Sequence, residues 1–179
     1  MPGVIHPSRP RFVFSAGVAI LGVIVLPLVL SGFFGVPLLH MLSLTGSILV
    51  FQPFAASIGV VLGIPPWTIL GTMASVGTGA VFGLLALCDL FTNRWERFDR
   101  AIRNVHERAN RSKGFLKYGM LMFFPFMWVP GIGLYGCTLL AWLLVWREPR
   151  HLLVLFSSWM IASVMVLAAS LEVLIAVTS

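Results

Sequence analysis

Carboxylates are scarce in this chain. Only six Asp and Glu occur in 179 residues, and charged residues of both signs make up 10%, against about a quarter in soluble domains. So thin a polar cover excludes a water-soluble fold, and the 59% of residues that are hydrophobic call for lipid as their solvent. Cysteine is scarce as well. Cys88 and Cys137 lie inside apolar runs with no CxxC or Cys/His spacing, so they read as small buried hydrophobes. The four histidines, His6, His40, His106 and His151, are scattered, and no metal site is assigned. Also missing are G-x-S-x-G, a His–Glu metal spacing, a Gly-rich loop joined to Lys-Ser/Thr, and a Cys–His set. These absences argue against an enzyme and against a bound cofactor.

The charge that is present is basic and clustered. Of twelve Lys and Arg, eight fall between Arg94 and Lys117, while Arg9, Arg11, Arg147 and Arg150 flank apolar runs. The net charge of +6 is therefore not a footprint for nucleic acid. Basic loops beside apolar runs follow the positive-inside rule.

Five apolar stretches stand out, at 12–36, 41–62, 67–92, 117–146 and 152–177. The first is too long for the roughly 7–15 residues of a signal h-region and reads as a retained helix. A helical span needs about 20 apolar residues. The first, third and fifth stretches meet that requirement. The second and fourth are interrupted by Gln52-Pro53 and by Pro130-Gly131-Ile132-Gly133, leaving halves too short to cross alone.

Charge chooses between two topologies. If all five stretches crossed, the basic loop at 93–117 would oppose both the N-terminus and the 147–150 loop. If 41–62 and 117–146 are re-entrant hairpins, every Lys and Arg is cytoplasmic. The expected fold is therefore an all-α integral membrane protein of the cell (inner) membrane, forming one membrane domain. It has three full transmembrane helices, two opposed re-entrant helical hairpins in an inverted-repeat-like plan, and a basic amphipathic helix over 94–113. The N-terminus and the 93–117 loop are expected on the cytoplasmic side. Trp95, Phe98, Ile102, Val105 and Ala109 form the apolar stripe of that surface helix, which would lie among anionic lipid headgroups.

Gly71, Ser75, Gly79 and Gly83 recur every four residues within 67–92. Such a stripe admits a closely packed helix, either within the monomer or in a homodimer. Asp89 and Glu172 are the only carboxylates inside apolar stretches. Each lies roughly 30 Å along its helix, near an interface, and they are the candidates for proton or ion coupling. The hairpin tips are the stronger site. A half-helix restarting after Pro130 and Gly131 would offer unpaired N–H groups to an anion or a carbonyl oxygen. Gln52, beside Pro53, faces it from the other break, either bonding a ligand or satisfying freed backbone. Gly133 belongs to the same turn, and Tyr135 either supplies a hydroxyl or packs.

The segment from Lys117-Tyr118-Gly119 through Trp142 resembles the small multidrug export protein family, distantly akin to DedA-like, SNARE-associated-type membrane proteins. The family's Pro-Leu-Pro-Gly-Thr-Gly-Ala-Tyr is met here by Trp128-Val129-Pro130-Gly131-Ile132-Gly133-Leu134-Tyr135. Pro130, Gly131, Gly133 and Tyr135 carry over, while Trp128 and Ile132 replace Pro and Thr. Ahead of Leu62-Gly63-Ile64-Pro65-Pro66 the family has Glu-Leu-Arg, where this chain has Phe51-Gln52-Pro53. The resemblance implies paired re-entrant hairpins and transport. The expected function is a transporter or flippase for a small amphiphilic or lipid-linked substrate, anionic rather than cationic. The alternative is a non-catalytic membrane scaffold or accessory subunit.

Overall fold

The computed structural model describes residues 9–94, 133–143 and 149–178. The predicted surface helix at 94–113 and the first arm of the 117–146 hairpin, with Pro130 and Gly131, lie outside the described residues. All regular structure among the described residues is helical. Four stretches are long and apolar enough to cross a membrane: Val13–Phe34, Leu38–Val61, Pro66–Cys88 and His151–Thr178. The chain is a multi-helix membrane protein.

The first membrane helix runs as α1 (Arg9–Ile20), a π-helical turn (Leu21–Val25) and α2 (Leu26–Phe34). Pro27 explains the π turn. Having no N–H, Pro27 cannot close the next bond of the ladder. The Leu26 N–H reaches back five residues to the Leu21 carbonyl, and the Gly22 carbonyl, which residue 27 would next have served, is released. Ser75 of the neighbouring helix donates its hydroxyl to that carbonyl at 2.5 Å. An unpaired carbonyl in hydrocarbon is costly, so the bond ties the two helices together at the irregularity. The helix stops at Gly35, whose φ of 64° is the left-handed conformation favoured at helix ends.

Next come α3 (Leu38–Phe51), a 3₁₀ turn (Gln52–Phe54) and α4 (Ala55–Val61). By length this stretch could cross, yet it is not a rod. A Cβ placed on Gly59 would lie 3.3 Å from the Leu44 side chain, whereas fifteen residues of straight helix would separate them by roughly 22 Å. The segment therefore folds back on itself. Gly59 also faces Ile69 at 2.8 Å, so α4 is wedged between α3 and the following helix. A Schellman motif ends α4, with Ile64 N–H donating to Gly59 and Gly63 N–H to Val60. Gly63 takes the left-handed φ of 70° that this motif requires. Pro65-Pro66 then opens α5 (Pro66–Arg94).

The predicted small-residue stripe packs within the chain, against the first helix. A Cβ on Gly22 would lie 2.6 Å from the Ser75 carbonyl oxygen and 2.9 Å from Gly79 Cα. Gly83 faces Ala19, and Gly71 faces Leu30. Partners descend from residue 30 to residue 19 as α5 ascends, so the two helices run antiparallel. That face of α5 is filled by the first helix. The first helix is also peripheral: only 11% of its apolar window is buried, against 50% for α5.

The remaining described elements are α6 (Gly133–Leu143) and α7 (Pro149–Thr178). Trp159 of α7 is fully buried and fills the space that Gly77 leaves open. A Cβ there would sit 2.5 Å from the indole ring. Several Ser and Thr satisfy their own helices, as Thr72 does at Thr68, Thr138 at Leu134 and Ser163 at Trp159. That is how a hydroxyl survives in an apolar interior.

Candidate functional site at the paired helix breaks

Proline creates the first break. Pro53 has no N–H, so the Leu49 carbonyl four residues earlier loses its helical donor. The Tyr135 hydroxyl of α6 donates to this carbonyl at 2.6 Å. The second contact runs from Leu134 of α6. Its N–H donates to Gln52 Oε1 at 2.9 Å. Two bonds thus tie α6 to the Gln52 break, over more than eighty residues of sequence. The contact joins Gln52, Pro53, Gly133 and Tyr135 from the predicted site in one place.

Gln52 holds this position under strain. Its φ of 56° and ψ of −122° correspond to the first corner of a type II′ turn, a place that usually takes glycine. Gln52 is the only non-glycine with positive φ among the described residues. Such a conformation costs on the order of 1–3 kcal/mol. The side chain is fully buried, and its Nε2 has no hydrogen-bond partner. Of the two ends of the amide, one closes a helix and the other is unused. Thr45 and Thr68 hydroxyls and the Trp159 indole N–H are likewise buried without a partner. Sequence reasoning missed those three, because nothing in the pattern distinguishes a buried unpaired hydroxyl from one bonded to its own helix.

A groove of about 690 Å³ runs beside the break, between α4 and α7. Phe54, Ser57, Val60 and Val61 line it along α4, from the turn to the end of that helix, with Met165 and Ser170 opposite. Among the described residues its polar lining is the Ser57–Ser170 pair, whose hydroxyl oxygens are 2.7 Å apart. Ser170 also donates to the Val166 carbonyl, so Ser57 is the donor within the pair.

The other candidates lie elsewhere. Glu172 is exposed on the last turns of α7, and Asp89 belongs to the last part of α5, its side chain outside the described residues. Gly71, Ser75, Gly79 and Gly83 hold the first helix, as described above. No group of three or more His, Cys, Asp or Glu suited to a metal occurs among the described residues.

No curated protein and no solved structure matches the chain. The model of the small multi-drug export protein family matches residues 52–165. That match begins at Gln52, takes in α4, α5 and α6, and ends within α7. It covers more than half of the chain, which therefore belongs to the small multi-drug export protein family.

Proposed function

We propose that this protein moves a small amphiphilic or lipid-linked molecule across its membrane, with the paired breaks as the binding site. The observation that carries the reading is the reciprocal bonding of Gln52 with Leu134 and of Tyr135 with Leu49. Irregular backbone inside a membrane is tolerated where protein or a water-lined cavity surrounds it, and transporters build their sites from it. At 1.5 Å per residue, α3 and α4 reach about 21 and 10 Å, both short of the roughly 30 Å of hydrocarbon.

In this reading 41–62 and 117–146 are re-entrant hairpins dipping from opposite faces, and Pro130 and Gly131 complete the second turn. The antiparallel run of the first helix and α5 supports it, since a fully crossing segment between them would make them parallel. All basic residues then face the cytoplasm of an inner membrane, where the segment from Arg94 to Lys117 meets anionic headgroups. The α4–α7 groove gives an apolar chain a lateral approach to the turn. An anionic headgroup suits the breaks better than a cation, because the groups on offer there are donors. Asp89 and Glu172 remain the coupling candidates. No chemical step is assigned to the protein.

The scaffold alternative loses its main feature, because the small-residue stripe is filled from within the chain. Reconstitution in liposomes tests transport. Wild-type protein is expected to move fluorescent lipid phosphates faster than empty vesicles do, and Gly131→Leu to slow that movement. Equal rates for protein-containing and empty vesicles, with lipid phosphates and lipophilic dyes alike, would remove the proposal.

A further inference from the structure

We infer that Gln52 sets ligand specificity, its unpaired Nε2 donating to an oxygen of an acceptor-bearing headgroup, of which a phosphate monoester is the simplest probe. The inference rests on the site proposed above and adds a division of labour within one side chain. Oε1 is committed to the Leu134 N–H, so the amide cannot rotate to exchange its ends without leaving that donor unpaired. Nε2 is thereby fixed as the free end, beside Leu134 of α6.

Three observations point the same way. The side chain is fully buried, so water does not satisfy Nε2, and a buried unpaired donor is unfavourable by about 1–3 kcal/mol. The backbone beneath it adopts a conformation that glycine would take without strain. Glycine at this position would also remove the unpaired donor. A residue that is unfavourable on both counts is consistent with a task that needs the amide. The approach is apolar, since the adjoining groove starts at Phe54 and its hydroxyls are already engaged with each other and with Val166. A ligand arriving that way therefore finds its polar partner at the turn. Because Gln52 has no exposed surface, a headgroup reaches Nε2 only as the 52–54 turn and the start of α6 part.

Equilibrium binding of a fluorescent monoalkyl phosphate to the full-length protein in mild detergent tests the assignment, with an uncharged alkyl ether of equal chain length for comparison. Gln52→Met keeps the length of the side chain and removes its donor. Gln52→Gly relieves the turn and removes the whole amide. Ser75→Ala deletes a hydrogen bond between α5 and the first helix, outside the contact of Gln52 with α6, and serves as the control. Wild type and Ser75→Ala are expected to bind the phosphate with equal affinity and to prefer it to the ether. Gln52→Met and Gln52→Gly are each expected to bind it at least about tenfold more weakly, with ether binding unchanged. The inference is overturned if either Gln52 variant, folded by its thermal midpoint, binds the phosphate within twofold of wild type. It is equally overturned if wild type does not distinguish phosphate from ether. Failure of transport is separable: phosphate bound through Gln52 but not moved in liposomes would sink the transport reading and leave this one standing.

Discussion

Gln52 and Tyr135 each bond a backbone group of the other's segment, but the two side chains differ in what their loss would do. Replacing Tyr135 with Phe strands the part-buried Leu49 carbonyl and keeps the ring. The expected loss of stability is about 1–3 kcal/mol, seen as a lower thermal midpoint in detergent. At Gln52 the comparison to make is Gly against Ala. Both delete the Leu134 acceptor, yet only Gly accepts a φ of 56° without strain. Gln52→Gly is expected to be more stable than Gln52→Ala by about 1–2 kcal/mol. In an ordinary helix the order is reversed. Equal midpoints would mean that the turn relaxes and stores no strain.

The first helix and α5 make their contact through backbone, which is why glycine recurs there. A methyl on Gly22 would meet the Ser75 carbonyl oxygen and Gly79 Cα, atoms that cannot swing aside, so Gly22→Ala must push the helices apart. A destabilisation of about 1–3 kcal/mol is expected. The π turn makes a sharper prediction through a double-mutant cycle. Ser75→Ala is expected to cost about 1–3 kcal/mol in the wild-type background, where Pro27 leaves the Gly22 carbonyl open. In a Pro27→Ala background the ladder regains a donor and the cost should fall below about 0.5 kcal/mol. Strict additivity in unfolding measurements would separate the proline from the serine and refute the proposed cause of the bond.

For the molecule as a whole, the question is which faces of the membrane the fold-back connects. Leu38 and Trp67 are both exposed; Leu38 opens α3 and Trp67 stands in the first turn of α5, beyond the end of α4. In a background with Cys88 and Cys137 replaced by Ala, Leu38→Cys and Trp67→Cys are expected to react with an impermeant thiol reagent from the same side. Cysteines in the 93–117 segment are expected to react from the other. Labelling of positions 38 and 67 from opposite sides would make the stretch a crossing one and dissolve the paired-break site within the membrane.

Much of this was readable from the residues alone. Helices, their approximate ends and the membrane as solvent follow from apolar runs near 20 residues long, because a backbone in lipid must bond to itself and helices do so locally. The stripe of Gly71, Ser75, Gly79 and Gly83 announced a close helix neighbour by its period. The first break announced itself through Pro53, since proline removes a donor wherever it stands. The sequence could not say who answers a broken bond. That Tyr135 serves Leu49, that Gln52 serves Leu134 with one end and nothing with the other, and that Ser75 serves Gly22 are contacts between residues distant along the chain. They also involve backbone groups, which every residue carries and no pattern marks. The positive φ of Gln52 was hidden for a related reason: nothing in the local sequence demands it, and only packing against α6 fixes the amide there. Composition and period settle what is local, whereas partner choice is settled by the one arrangement in which the orphaned groups meet.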